Sequence, residues 1–99
     1  MTEIYDFDIE IEDDGGLAVS LSGTLSGRAY IDREDGVSCV HRMEHLHFFG
    51  HLGVYLYNTD VLRRIPIDTD NEDFINWVID EFVGWDWVDD QIMEGQTHV

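Results

Sequence analysis

Apolar and acidic residues alternate strictly near the start of the chain. Tyr5, Phe7, Ile9 and Ile11 take the odd positions, and Asp6, Asp8, Glu10 and Glu12 take the even ones. A period of two sends successive side chains to opposite faces of a strand, so residues 3–13 are predicted to form a half-buried strand. Asp13-Asp14-Gly15-Gly16 has the chemistry of a hairpin turn. Alternation then resumes on odd positions with Leu17, Val19, Leu21, Gly23, Leu25, Gly27, Ala29 and Ile31. This predicts a strand over 16–32, either one long bent strand or two separated at Gly23.

Asp35-Gly36 reads as a second hairpin turn, and Val37, Cys39, His41 and Met43 continue the odd-position pattern into a strand over 37–48. Residues 53–57 read as a further strand. Asn58 or Thr59 is placed to cap a helical turn over Asp60 to Arg64, which Pro66 would end.

Beyond Pro66 the period changes. Thr69 and Glu72 have capping-box spacing, and Phe74, Trp77, Val78 and Phe82 recur at helical intervals, widened by Ile75, Ile79 and Val83. A helix over 70–83 is expected, closed by Gly84, and a second over 85–93 with Trp85, Val88 and Ile92 turned inward. Trp87 falls off that stripe and is expected at the surface. Strands first and helices last predict an α+β fold. An N-terminal antiparallel sheet of three to five strands would pack against one or two C-terminal helices, in a single domain spanning 1–99.

Composition adds two exclusions. At 43% hydrophobic and 12% aromatic, the 99-residue chain can close a core and is no disordered acidic tail. Cys39 is alone, so no internal disulfide forms. No apolar run approaches the roughly 20 residues that span a bilayer. The start carries neither the basic nor the apolar region of a signal peptide. A cytoplasmic protein is expected.

Charge changes the picture more. The net charge of −17 sits at the two ends: residues 1–14 and 68–99 hold acids and no lysine or arginine, whereas the middle is neutral. Charge of this size opposes binding to nucleic acid or an anionic membrane and draws the chain toward basic surfaces. On the first strand, Asp6, Asp8, Glu10 and Glu12 must share one face at a spacing of about 6.8 Å. Unpaired carboxylates are too costly to bury, so that face meets solvent or a basic partner. The second helix offers Asp86, Asp89 and Asp90, with Trp87 as an apolar anchor. Neighbouring like charges cost stability. Their retention in a chain without lysine points to a basic partner or to a high-salt environment.

His41, His45, His47 and His51 lie close in sequence, with Glu44 among them. In an extended strand His41, His45 and His47 would share a face, and three histidines suit zinc. There is no HExxH motif and no cysteine pair, so no metal and no cofactor is expected. His41 and Cys39 read as strand residues on the apolar face. Asp68, Asp70 and Glu72 have alternating oxygen ligands but lack the glycine and the distant glutamate of a calcium loop. Ser20, Ser22 and Ser26 have no base beside them in the pattern, so no nucleophilic triad is assembled.

In size, charge and the row Asp6-Asp8-Glu10-Glu12, the chain resembles the small acidic phage proteins that disarm bacterial defence. These include anti-CRISPR and anti-restriction proteins of the DNA-mimic type. The resemblance implies a non-catalytic inhibitor acting in the host cytoplasm on the basic surface of a nucleic-acid-binding protein or nuclease complex. Acidic immunity proteins that neutralise basic nuclease toxins are similar on the same electrostatic grounds. A halophile-adapted binding protein and a small histidine-site metalloprotein are the remaining alternatives. The pattern sets no oligomeric state.

Overall fold

The computed structural model describes residues 2–14, 19–34, 36–55 and 62–97. Strands β1 (Thr2–Asp14), β2 (Val19–Glu34), β3 (Val37–Tyr55) and β4 (Leu62–Thr69) precede helices α1 (Glu72–Phe82) and α2 (Trp85–Thr97). The strands form one antiparallel sheet in the order β1-β2-β3-β4, with both helices packed on one face. This is the α+β architecture expected from the order of periodicities. No described helix is long and apolar enough to cross a membrane.

Strand β1 follows its alternation without a break. Phe7, Ile9 and Ile11 are buried, and they join Leu21, Leu25, Ala29 and Ile31 of β2 beneath Ile75, Val78, Ile79, Val88 and Ile92 of the helices. The apolar phase of the two strands therefore fixes which face the helices cover. β2 is one uninterrupted strand of 16 residues. Gly23 does not divide it. It pairs directly with Gly50 of β3, and a Cβ on Gly23 would meet the Gly50 Cα at 2.8 Å and the Phe48 ring at 2.8 Å. Two glycines here let the backbones approach while the buried Phe48 ring lies over them.

β3 departs most from the expected pattern. The sequence predicts strands over 37–48 and 53–57 and leaves Glu44 to Leu52 open between strand and loop; Val37–Tyr55 is one continuous strand. Its register with β2 shifts twice, between Tyr30 and Ile31 and between Ser26 and Arg28. Each shift inserts one extra residue on β3, a β-bulge that exchanges the two faces of the strand. Val40, Met43, Leu46 and Phe48 consequently share the helix side, while Val37, Cys39 and His41 are exposed. The odd-position reading of Val37, Cys39 and His41 as an inward face is thus overturned. His45 sits at the second bulge with φ 55, a left-handed conformation that histidine tolerates better than most residues.

The expected helical turn before Pro66 is also corrected. Asn58, Thr59 and Asp60 lie outside the described residues, but Leu62–Thr69 is strand β4, paired only with β3. Pro66 is tolerated there because an edge strand need not donate on both sides. α1 begins later than the capping box predicted. Asn71 is its N-cap, accepting from the Phe74 N–H at 3.0 Å, while Thr69 Oγ1 accepts from the Asn71 N–H at 3.0 Å. The buried face of α1 is Ile75, Val78 and Ile79, so Trp77, expected inward, is 53% exposed beside Phe74. α2 keeps Val88 and Ile92 inward as expected. It runs to Thr97, beyond the predicted end at 93.

Candidate functional site

The helices cover one face of the sheet and leave the other open. Register alone reconstructs the open face, because directly paired residues point the same way. One row across it reads Asp8, Ser26, His47; the next reads Glu10, Thr24, Phe49, Asp68; the third reads Glu12, Ser22, His51, Pro66. Along the strands these become a column of carboxylates on β1, a column of hydroxyls on β2, a histidine and aromatic column on β3, and a mixed edge on β4.

Asp6, Asp8, Glu10 and Glu12 are all exposed on this face, as their alternation required. They are not equivalent. Arg28 stands opposite Asp6, and its Nε donates to Asp6 Oδ1 at 2.9 Å, which holds the guanidinium above its ordinary value. Asp8, Glu10 and Glu12 face Ser26, Thr24 and Ser22 instead, and no described basic side chain pairs with them. The row therefore has one compensated end and three free carboxylates. A shallow depression of about 250 Å³ lies between Glu10, Glu12, Ser22 and Thr24.

Beyond Asp6 the open face carries a second polar cluster. The Tyr30 hydroxyl donates to Glu44 Oε1, and this bond holds the Glu44 carboxyl below its ordinary value, with nearby Arg42 acting in the same direction. The Arg42 guanidinium lies 4.1 Å from the Tyr30 ring centroid and 3.8 Å from Glu44 Oε2. Ring, cation and carboxylate thus form one compact contact at the surface.

The second acidic set is on the opposite side of the molecule. Asp86, Asp89 and Asp90 belong to α2, which packs against the covered face. The row on β1 and the acids of α2 therefore do not converge on one surface. Asp89 is half-buried, and burial, aided by Asp86 and Asp90, raises its carboxyl above the ordinary range. Trp87, expected as an exposed anchor, is partly buried against the core. Large apolar groups do reach the surface, but elsewhere: Phe49 is 63% exposed on the open sheet face, and Ile65, Phe74 and Trp77 crop out near β4 and α1.

The four histidines are scattered by the two bulges. His41 Nδ1 lies 3.3 Å from Asp32, His45 Nε2 lies 3.7 Å from Glu44, and His47 Nε2 lies 2.8 Å from Asp68. His51 is on the open face between Ser22 and Pro66. Three histidines thus take three different carboxylate partners. Among the described residues no group of three His, Cys, Asp or Glu side chains is placed to hold a metal ion. His41, His45 and His47 each lie beside a carboxylate of the open face, but those carboxylates are on different strands or rows, so the three rings are spread along β3 and not gathered. His47 does stand across from Ser26, a base beside a serine that the sequence pattern had not shown, but the pair lies on an open sheet surface.

No protein-family model, no curated protein and no solved structure matches this chain.

Proposed function

We propose that this is a non-catalytic acidic binding protein. It inhibits a nucleic-acid-binding protein or nuclease complex by occupying the basic surface that otherwise holds phosphate. The observation that carries the reading is the run Asp8, Glu10 and Glu12: three exposed carboxylates on one strand, backed by hydroxyls and without a described basic partner. Arginines and lysines that pair with phosphate oxygens pair equally with carboxylates. The row on β1 repeats its charge about every 6.8 Å, half the density of a single DNA strand at about 3.4 Å per phosphate, so it matches a basic surface that contacts alternate phosphates of one strand.

The test is affinity capture of the partner followed by competition. The captured protein is expected to be basic, to release its nucleic acid when this protein is added, and to lose the complex as salt is raised. Simultaneous Asp6→Asn, Asp8→Asn, Glu10→Gln and Glu12→Gln substitution should abolish displacement without unfolding the domain. A neutral partner, or displacement that survives the four changes, overturns the assignment.

A second reading rests on a specific observation: acids are exposed on the helix layer as well as on the sheet. Acidity on both sides is what adaptation to high salt produces. In that case molar KCl should raise the thermal midpoint strongly, and the four substitutions should lower the need for salt rather than the affinity for a partner.

A further inference from the structure

We infer that the open sheet face recognises arginine in particular, through Phe49. This rests on the proposal that the acidic face is the partner-binding face, and it names the side chain that the face selects. Phe49 is 63% exposed on a strand whose neighbouring apolar residues, Leu46 and Phe48, are buried. It contributes little to the core. Its row neighbours carry carboxylates on either side, Asp68 on the adjacent strand β4 and Glu10 two strands away on β1. Asp68 offers one oxygen to His47 and is otherwise exposed, so a second oxygen is available to a donor. A flat apolar ring beside a carboxylate fits a guanidinium, which stacks by its plane and donates from its edge.

The same face already holds that arrangement within the chain. Arg42 lies over the Tyr30 ring with Glu44 at its edge. Phe49 and Asp68 repeat the ring and the carboxylate, and among the described residues no arginine stacks on Phe49 or pairs with Asp68. The occupant fitted to this position is an arginine of a basic partner, delivered to the face by the long-range pull of Asp8, Glu10 and Glu12. Lysine satisfies the carboxylates but stacks poorly, because its ammonium is a compact, strongly hydrated charge.

The test compares nona-arginine and nona-lysine peptides by titration calorimetry against the folded protein. Equal charge makes the general electrostatic attraction common to both, so their difference reports stacking and bidentate pairing. Nona-arginine is expected to bind about tenfold more tightly. Phe49→Ala and Phe49→Leu should each reduce nona-arginine binding about tenfold and change nona-lysine binding less than about twofold. The leucine variant preserves apolar area, so retention of the arginine preference in it overturns the inference, as does equal binding of the two peptides to the unmodified protein. If the peptides bind equally and the four-carboxylate variant loses both, the acidic face stands as the binding face and only the arginine selectivity falls. If neither peptide binds, both fall together.

Discussion

The carboxylates of β1 and those of α2 carry the same charge and live under different constraints. Asp8, Glu10 and Glu12 project from a strand edge into solvent, each opposite a hydroxyl. Asp89 lies half-buried, one turn from Asp86 and next to the core residue Val88, and its neighbour Asp90 adds further repulsion. The strand spaces its charges about 6.8 Å apart. The helix crowds them at i, i+3 and i, i+4, where like charges repel. The difference teaches that acidity here is not a uniform coating. One array is displayed with little electrostatic penalty, whereas the other opposes the packing of its own helix.

The hardest test of that contrast removes the display and keeps the charge. A Cβ on Gly50 would meet the Ser22 carbonyl oxygen at 2.1 Å and the Gly23 Cα at 2.5 Å, both backbone atoms that cannot step aside. Gly50→Ala is expected to cost more than about 3 kcal/mol and to unfold the sheet, read by circular dichroism and urea titration. The unfolded chain still has its net charge of −17. If it displaces nucleic acid from the target as well as the folded protein does, spacing is irrelevant and the comparison collapses.

Next in size is a pair of matched neutralisations. The four changes on β1 should weaken association with a basic partner about 100-fold at low ionic strength, the three pairs made by Asp8, Glu10 and Glu12 being lost together. Asp86→Asn, Asp89→Asn and Asp90→Asn together should leave affinity within about threefold. They should instead stabilise the fold, by roughly 0.5 kcal/mol for each helical repulsion removed. Calorimetry on both variants, alongside urea midpoints, separates display from crowding. The reverse outcome would move the binding face to the helices.

A smaller effect comes from pH. A carboxyl held above its unfolded value binds its proton more tightly in the native state. The stability it contributes is fully present below the unfolded value of about 3.9 and is lost as pH rises through the higher folded value. Asp89→Asn should therefore raise the urea midpoint at pH 7, and the gap to the unmodified protein should close as pH falls toward about 3. An unchanged gap across that range would mean that Asp89 is not strained by burial.

The smallest change is expected from Arg28→Gln, which frees Asp6 and lengthens the open run from three carboxylates to four. Affinity for a basic partner should rise about two- to threefold, most visibly at low salt. A fall would show that Arg28 orders the row rather than masking part of it.

Legibility followed register. On β1 and the first part of β2, an unbroken period of two was enough to assign core, open face and the acidic row together. On β3 each bulge adds one residue and reverses the phase, so alternation alone turns Cys39 and His41 inward and gives no face to Phe49. Nothing in the residues around His41 and His45 marks an insertion. The bulges are set by pairing with β2, a long-range property. Pro66 misled for the opposite reason. It is a strong local stop signal, yet its cost vanishes on an edge strand, and edge position is a feature of the whole sheet. On α1 apolar residues surround much of the helix, and packing chose Ile75, Val78 and Ile79 over the larger Trp77. Trp87 was placed outside for want of a stripe, although α2 lies close enough to the core to cover it in part.

The order β1-β2-β3-β4 leaves two strands with an unpaired side, and such edges invite copies of the same chain to add on until filaments form. The two edges resist this by different means. Along β1, antiparallel self-pairing centred on the acidic row sets acid against acid, since all four even positions from Asp6 to Glu12 are carboxylates. Along β4, Pro66 has no N–H to give. The acidic row is thus also a guard against self-assembly, and neutralising it for a binding assay strips one of the sheet's two defences against aggregation.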